Sequence, residues 1–288
     1  MSLISTIDLH LHTLASDGRL TSTELIRLVA KQGLKTISIT DHDSTEGLAE
    51  AYEAAKEFPD LRIIPGIEMS ADIPGDEVHV LGYFLDYHDE QFQATLEEFR
   101  MGRVGRAQIM VEKLNALGKP VEWERVLNFA GDGSVGRPHI ALAMVEAGYF
   151  KEPKEAFDEY LGNDGLAYYD RPKLNPIESV EMIQRVGGVP VLAHPTFMND
   201  MEVGIANLKK VGLKGMEVYY AQYDDDTVRH LARLAKEYDL IPCGGSDYHG
   251  LGNTGEPLPG TLGPPENTIK LLEEAAAKSR SENGNKRN

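Results

Sequence analysis

Short apolar runs recur along the chain, and each ends in, or carries, a group able to bind a metal. Ile7-Asp8-Leu9-His10-Leu11-His12 is the first, with Asp17 in the loop after it. Ile37-Ser38-Ile39-Thr40-Asp41-His42 and Ile63-Ile64-Pro65-Gly66-Ile67-Glu68 follow. His79 lies inside Glu77-Val78-His79-Val80-Leu81-Gly82, and His194 closes Val189-Pro190-Val191-Leu192-Ala193. A run from Ile241 leads into Gly245-Ser246-Asp247-Tyr248-His249. With Met216–Tyr219, these runs predict seven strands. Between them the apolar period changes from two to that of a helix. Thr21-Ser22-Thr23-Glu24 has capping-box spacing, and Leu25, Leu28 and Val29 form an apolar face that Gly33 ends. Further helices are predicted over residues 46–58, 176–186, 203–211 and 225–238 and from Glu266 onward. Alternating strand and helix implies parallel strands with right-handed crossovers. In a barrel of parallel strands the ends gather on one face, where active sites are built.

The rhythm breaks between residues 91 and 173. There the sequence predicts a long helix reaching Leu117 and shorter pieces around Trp123–Phe129, Pro138–Ala147 and Lys154–Leu161, with Gly131-Asp132-Gly133-Ser134 as a turn. The organisation expected is a barrel from 1–90 and 174–278, a helical insertion over 91–173 capping its mouth, and a disordered tail over 279–288.

A hydrophobic content of 41% supplies a substantial core. No apolar run approaches the ~20 residues of a membrane span, and no basic-then-apolar leader opens the chain. The single cysteine, Cys243, makes no internal disulfide, which suits a reducing cytoplasm. A net charge of −17 excludes coating of extended nucleic acid through a general basic surface. It leaves open a local basic pocket for one phosphorylated end, and bound cations would offset part of it.

Imidazole and carboxylate together suit divalent transition metals. Alternation along a strand puts His10 and His12 on one face. Six of the nine histidines, with Glu68 and Asp247, occupy strand ends or neighbouring strands, where ionisable groups without partners would be costly. The chain therefore reads as a multinuclear metalloenzyme. Arg137-Pro138-His139 adds an anion site, because Pro138 suits the first turn of a helix whose free amides favour negative charge. Arg100, Arg103 and Arg106 recur every three residues along one side of the long helix. Arg100 reads as a solvated charge, while Arg103 and Arg106 are candidate substrate contacts. Tyr168, Tyr169, Tyr219 and Tyr220 are open between stacking on a base and packing.

The motifs Asp8-Leu9-His10-Leu11-His12, Thr40-Asp41-His42-Asp43, Gly66-Ile67-Glu68, His79, Ala193-His194-Pro195 and Gly245-Ser246-Asp247-Tyr248-His249 resemble those of the PHP (polymerase and histidinol phosphatase) family. The resemblance is strongest to the branch of nucleoside 3′,5′-bisphosphate phosphatases and RNA 5′-end exonucleases. It implies a distorted seven-stranded α/β barrel and three divalent metal ions, manganese, iron or zinc. His10, His12, Glu68 and Asp247 would hold one ion. Glu68, His79 and His194 would hold a second, with Glu68 bridging. Asp17, His42 and His249 would hold the third. Asp17, His42, Glu68, His194 and His249 are the residues assigned to catalysis, and Arg137, His139, Arg103 and Arg106 to substrate binding. Asp8, Asp41 and Asp43 read as supporting groups, with Asp43 a helix cap.

The activity implied is hydrolysis of phosphomonoesters or short phosphodiesters on nucleotides or RNA 5′ ends through metal-bound hydroxide, since coordination lowers water's pKa from about 15.7 to roughly 7–9. Histidinol-phosphate phosphatase is a second enzyme reading, and a metal-binding interaction module without catalysis is a reading of another class. In one place the chain departs from its resemblance. Related phosphoesterases follow His-Pro with Gly-Arg-Tyr, whereas this chain has Thr196-Phe197-Met198 after His194-Pro195, which removes one phosphate donor.

Overall fold

Seven strands lie side by side in sequence order. The computed structural model describes residues 5–73, 76–131, 135–170, 174–252 and 255–286. Strand β1 (Ile7–Asp8) pairs in parallel with β2 (Thr36–Ile39), and β2 with β3 (Arg62–Ile73). Strand β5 (Val189–Leu192) pairs in parallel with β6 (Gly215–Tyr220), and β6 with β7 (Ile241–Gly245). The edges then approach one another. Leu9 N–H donates to Gly244 O at 3.3 Å, and Asp247 N–H donates to His10 O at 2.9 Å. Gly245 permits this, because a Cβ there would lie 2.5 Å from His10 N. The result is a nearly closed barrel.

One strand runs against the expected direction. Strand β4 (Asp76–Tyr83) is antiparallel to both β3 and β5. The all-parallel reading is therefore corrected: no helix separates β3 from β4, so they form a hairpin rather than a crossover unit. The Pro74-Gly75 dipeptide in the sequence was the available cue.

Helices α1 (Ser22–Gln32), α2 (Gly47–Ala55), α7 (Pro176–Arg185), α8 (Met201–Lys210) and α9 (Asp225–Glu237) are the connections between strands. The capping box at α1 forms as read: Thr21 Oγ1 accepts from Glu24 N–H and the Glu24 carboxylate accepts from Thr21 N–H, while Gly33 ends the helix in the left-handed conformation. The last helix, α10 (Asn267–Lys286), extends into the tail expected at 279–288, of which residues 287–288 lie outside the described residues. It is anchored past residue 278, with the Ser279 hydroxyl donating to Gly188 O and the Arg280 guanidinium to Phe84 O. Apolar contact explains the anchoring, since Ile269, Leu272 and Ala276 pack into the barrel core.

Between β4 and β5 lie α3 (Glu90–Ala116), α4 (Trp123–Ala130), α5 (Arg137–Glu146) and α6 (Pro153–Ala156), the last continuing into a π-helical turn at Phe157–Leu161. Asp89 caps α3 by accepting from Phe92 N–H at 2.8 Å. Their buried apolar residues, among them Met110, Leu114, Ile140 and Met144, make a core of their own. The Gly-rich turn expected at 131–134 falls at residues 132–134 outside the described residues.

Inside the barrel, Leu9, Ile64, Leu81, Tyr83 and Val191 pack together, and the Tyr83 hydroxyl crosses to donate to Leu9 O at 2.9 Å. That bond ties β4 to the chain just before His10. Tyr83→Phe leaves a buried carbonyl with one partner fewer, and should lower stability by about 1–2 kcal/mol in a denaturant titration without changing the slope of the transition.

Candidate metal centre

Glu68 is the centre of the site. It is 1% exposed at the point where β3 passes the mouth of the barrel, and five imidazoles surround its carboxylate. Oε2 lies 3.2 Å from His10 Nε2, 3.3 Å from His12 Nε2 and 3.2 Å from His42 Nδ1. Oε1 lies 2.8 Å from His79 Nδ1 and 3.2 Å from His194 Nε2. Asp247 Oδ1 completes one group, 3.2 Å from His10 Nε2 and 3.0 Å from His12 Nε2. Asp17 gathers the other side, with Oδ1 3.3 Å from His249 Nε2 and Oδ2 3.8 Å from His42 Nε2.

Donor atoms close enough to share an ion form three groups: His10, His12, Glu68 and Asp247; His12, Asp17, His42 and His249; and His42, Glu68 and His79. The first is the set expected from the sequence. The other two differ in detail, because His42 reaches Glu68 and His12 reaches Asp17. The site fits cations by its own accounting of polar atoms. His12 Nε2, Asp17 Oδ1 and His42 Nδ1 are buried and have no hydrogen-bond partner among the described residues, although each faces an oppositely polarised group. Such donors are costly to bury unless an ion engages them.

The proton equilibria express the same crowding. Burial alone would raise the Asp17 and Glu68 carboxyls, but the imidazoles around them, His42 foremost, hold both well below the usual carboxylate range. Burial works against protonated His10, yet Glu217, Asp247 and Glu68 together hold it well above the usual histidine value. His42 goes the other way, lowered to about 3 by burial that its acidic neighbours do not offset. His249 rises to about 10 because Asp17 and Asp247 outweigh its burial. Without a metal the site balances its carboxylates with imidazolium protons, and a divalent cation would replace those protons.

Supporting groups fix the donors. Asp8 Oδ1 accepts from Ser246 N–H and His10 N–H, and its Oδ2 accepts from Gly260 N–H. Burial nevertheless pushes the Asp8 carboxyl up to about 6. Asp41 accepts from Thr13 N–H, Thr13 Oγ1 and Ser16 Oγ, shaping the loop that carries Asp17. Glu256 accepts from the amides of His249, Gly250 and Leu251. Asp247 and His194 have positive φ, 56° and 22°, conformations that non-glycine residues adopt at a cost and that the surrounding bonds maintain.

Glu217 went unread in the sequence. It is fully buried on β6, with Oε1 3.1 Å from His10 Nδ1 and Oε2 accepting from His194 N–H at 2.8 Å. The signal was one acid within the apolar run Gly215–Tyr220. Asp43 also corrects an expectation. Instead of capping a helix, it accepts from Ser70 N–H at 2.8 Å and pairs with Arg103 at 2.6 Å. Tyr220 is buried and donates to Asp247 Oδ2 at 2.8 Å, which resolves its role toward packing and support.

A cavity of about 160 Å³ separates the donors from the helical segment. Asp17, His42 and His79 line one side, and Arg103, Arg106 and Arg137 the other. Arg103 Nη2 also contacts Ser70 Oγ at 2.8 Å. Arg106 is buried against the Tyr168 ring and donates to Tyr169 O. Arg137 lies over the Phe157 ring and donates to Asn163 Oδ1 at 3.0 Å. His139 is buried at the base of α5, its Nδ1 accepting from Gly136 N–H at 3.0 Å, and burial lowers its pKa.

Known proteins resemble this chain in sequence and fold. A 5′-3′ exoribonuclease of Haemophilus influenzae is 34% identical over 246 residues, covering 84% of this chain and 89% of that protein. A 3′,5′-nucleoside bisphosphate phosphatase of Chromobacterium violaceum is 31% identical over 258 residues, covering 88% and 90%. The crystal structure of a Bifidobacterium adolescentis protein, provisionally described as a metal-dependent phosphoesterase, aligns with a TM-score of 0.84 and 30% identity over 93% of this chain and 96% of that one. A barrel mouth with this donor set, in that company, belongs to a metal-dependent phosphoester hydrolase. The PHP domain model matches residues 8–161, and the chain belongs to the PHP family.

Glu217→Gln keeps the size of the side chain but removes the charge that His10 Nδ1–H faces. Groups that orient a metal-binding histidine typically change affinity by about 10–100-fold. The variant should bind Zn²⁺ or Mn²⁺ about that much more weakly in a competition titration with a chromogenic chelator.

Proposed function

We propose that the protein hydrolyses phosphate esters of nucleotides or of RNA 5′ ends, using as many as three divalent ions of manganese, iron or zinc. One observation carries the reading. Six His and two Asp donors gather around Glu68, and three of them, Asp17, His42 and His79, line a cavity that Arg103, Arg106 and Arg137 also line. Phosphoryl transfer requires that pairing of cation sites and basic side chains around an anion. His10, His12, Glu68 and Asp247 would hold one ion. Glu68, His79 and His194 would hold another, and Asp17, His42 and His249 a third. Bound there, divalent ions supply water of lowered pKa and neutralise phosphoryl oxygens.

The residues of the chain supply placement. Arg137 and Arg106 reach the cavity from the helical segment and suit a planar, charge-assisted grip on phosphate oxygens. Arg103, bound to Asp43 and Ser70, holds that segment against the strand end that carries His42. His139 gives polar support beneath the same wall. A nucleotide or RNA end as substrate accords with the named activities of the two similar enzymes described above. The histidinol-phosphate alternative has no support beyond the family itself. Among the described residues no helix is long and apolar enough to cross a membrane.

Two experiments test the reading. After chelation and dialysis, adding Mn²⁺, Fe²⁺ or Zn²⁺ separately should restore hydrolysis of adenosine 3′,5′-bisphosphate or of a 5′-phosphorylated RNA oligomer. Saturating metal should also raise Tm, since a ligand at 100 times its Kd stabilises the native state by about 2.7 kcal/mol. Glu68→Gln should lose most of the activity and most of the metal-dependent rise in Tm. Failure of every metal to support turnover on any phosphoester would overturn the proposal.

Arg137→Ala should reduce kcat/KM for a bisphosphorylated nucleotide or 5′-phosphorylated RNA far more than for a small aryl phosphate. Alanine cannot reproduce a forked contact to a phosphate away from the reacting one. Equal losses on both substrates would move Arg137 to the reacting phosphate.

A further inference from the structure

The rim of the metal centre has two chemically different sides. Toward the helical segment it is cationic, with Arg103, Arg106 and Arg137 on the cavity wall. Beyond His194 it is aromatic. Phe197, on the short 3₁₀ turn Pro195–Phe197, is 55% exposed, and its ring centroid lies 5.0 Å from the ring of His194. Behind it, the Tyr220 ring meets Phe197 edge-on at 6.0 Å and 88°, and Tyr223 packs on Tyr220 at 4.9 Å. The turn is fastened by the Tyr223 hydroxyl, which accepts from Thr196 Oγ1 at 2.9 Å. Neither stretch that builds this side, residues 195–208 and 215–228, contains a lysine or arginine.

An exposed phenylalanine gains nothing from water, and this one is held rather than loose. With 55% of the residue exposed, ring surface is available while Tyr220 and His194 hold its position, which is what an aromatic platform needs. These two stretches offer a second phosphate no cation, whereas a planar, uncharged ring has a partner in Phe197.

We infer that Phe197 is a base-stacking residue: it receives the nucleobase next to the scissile phosphate, while any further phosphate lies toward the arginine wall. The inference rests on the proposed nucleotide or RNA substrate and adds its orientation and the chemistry of its recognition. Stacking is tolerant of base identity, because every base has a π face. The protein therefore requires a base without choosing among the four.

The test compares adenosine 3′,5′-bisphosphate with ribose 3,5-bisphosphate, which lacks the base, using the metal-loaded full chain. The wild type should favour the base-bearing substrate by about tenfold in kcat/KM, the size that stacking of one base supports. Phe197→Ala should bring that ratio close to one, with the change in KM, and Phe197→Trp should keep or enlarge it. A wild-type ratio near one, or a ratio that Phe197→Ala leaves intact, overturns the inference.

Binding gives a readout independent of turnover. In Phe197→Trp the new indole should be quenched by adenosine 5′-monophosphate and by the cytidine and uridine analogues, but not by ribose 5-phosphate. The same titration on the unsubstituted protein corrects for the native Trp123. Quenching without hydrolysis of any phosphoester would retain the stacking role and overturn only the proposed reaction. Hydrolysis without base-dependent quenching would do the reverse.

Discussion

A carboxylate taken out of water must be compensated, and at Glu68 that compensation organises the protein. Five imidazoles approach its two oxygens within 3.3 Å, brought by four separate segments of the chain. His10 and His12 arrive after β1, His42 after β2, His79 along β4 and His194 after β5. No single element could deliver them. The sheet must curve until both of its edges meet, and Gly245 must omit its side chain so that the chain at His10 can pass. The barrel is thus the shape required to place like groups around one anion. Its cost is carried by an outer layer of bonds from Asp8, Asp41, Glu217 and Glu256.

Much of this was legible in the sequence because strand ends and chemistry coincide in it. A run such as Ile37–Ile39 announces a buried strand, and the Asp41-His42 that follows has no apolar reason to be there. The helices read well for the same reason: Thr21, Glu24 and Gly33 encode their boundaries in local hydrogen bonds. What was not legible depended on pairing at a distance. Glu77–Gly82 alternates identically in either direction, so composition alone does not reverse β4. Glu217 looks like an ordinary acid until β6 is set beside His10. Asp43 finds Arg103 sixty positions away, a contact that no local pattern encodes. The polar sequence of residues 279–286 gives no sign of the bonds that Ser279 and Arg280 make to backbone carbonyls of other segments.

The strained residues mark where local preference gave way. Of the five non-glycine residues with positive φ among the described residues, three, Asp43, His194 and Asp247, touch the centre or its border with the helical segment. Each is held by hydrogen bonds to groups from other strands or helices, so the unfavourable backbone is maintained by the completed fold.

Two interiors meet across the cavity, and they are built of different residues. Met110, Leu114, Ile140 and Met144 pack among themselves in the helical segment, and Leu9, Ile64, Leu81 and Val191 among themselves in the barrel. They are joined where Phe92 and Leu96, at the start of α3, pack with Ile67 and Val80 of the barrel. Beyond that joint, a helix can be lengthened or an arginine exchanged without disturbing the packing that holds the metal donors. The wall that faces the donors is thus free to vary in shape and charge while the donors keep their places.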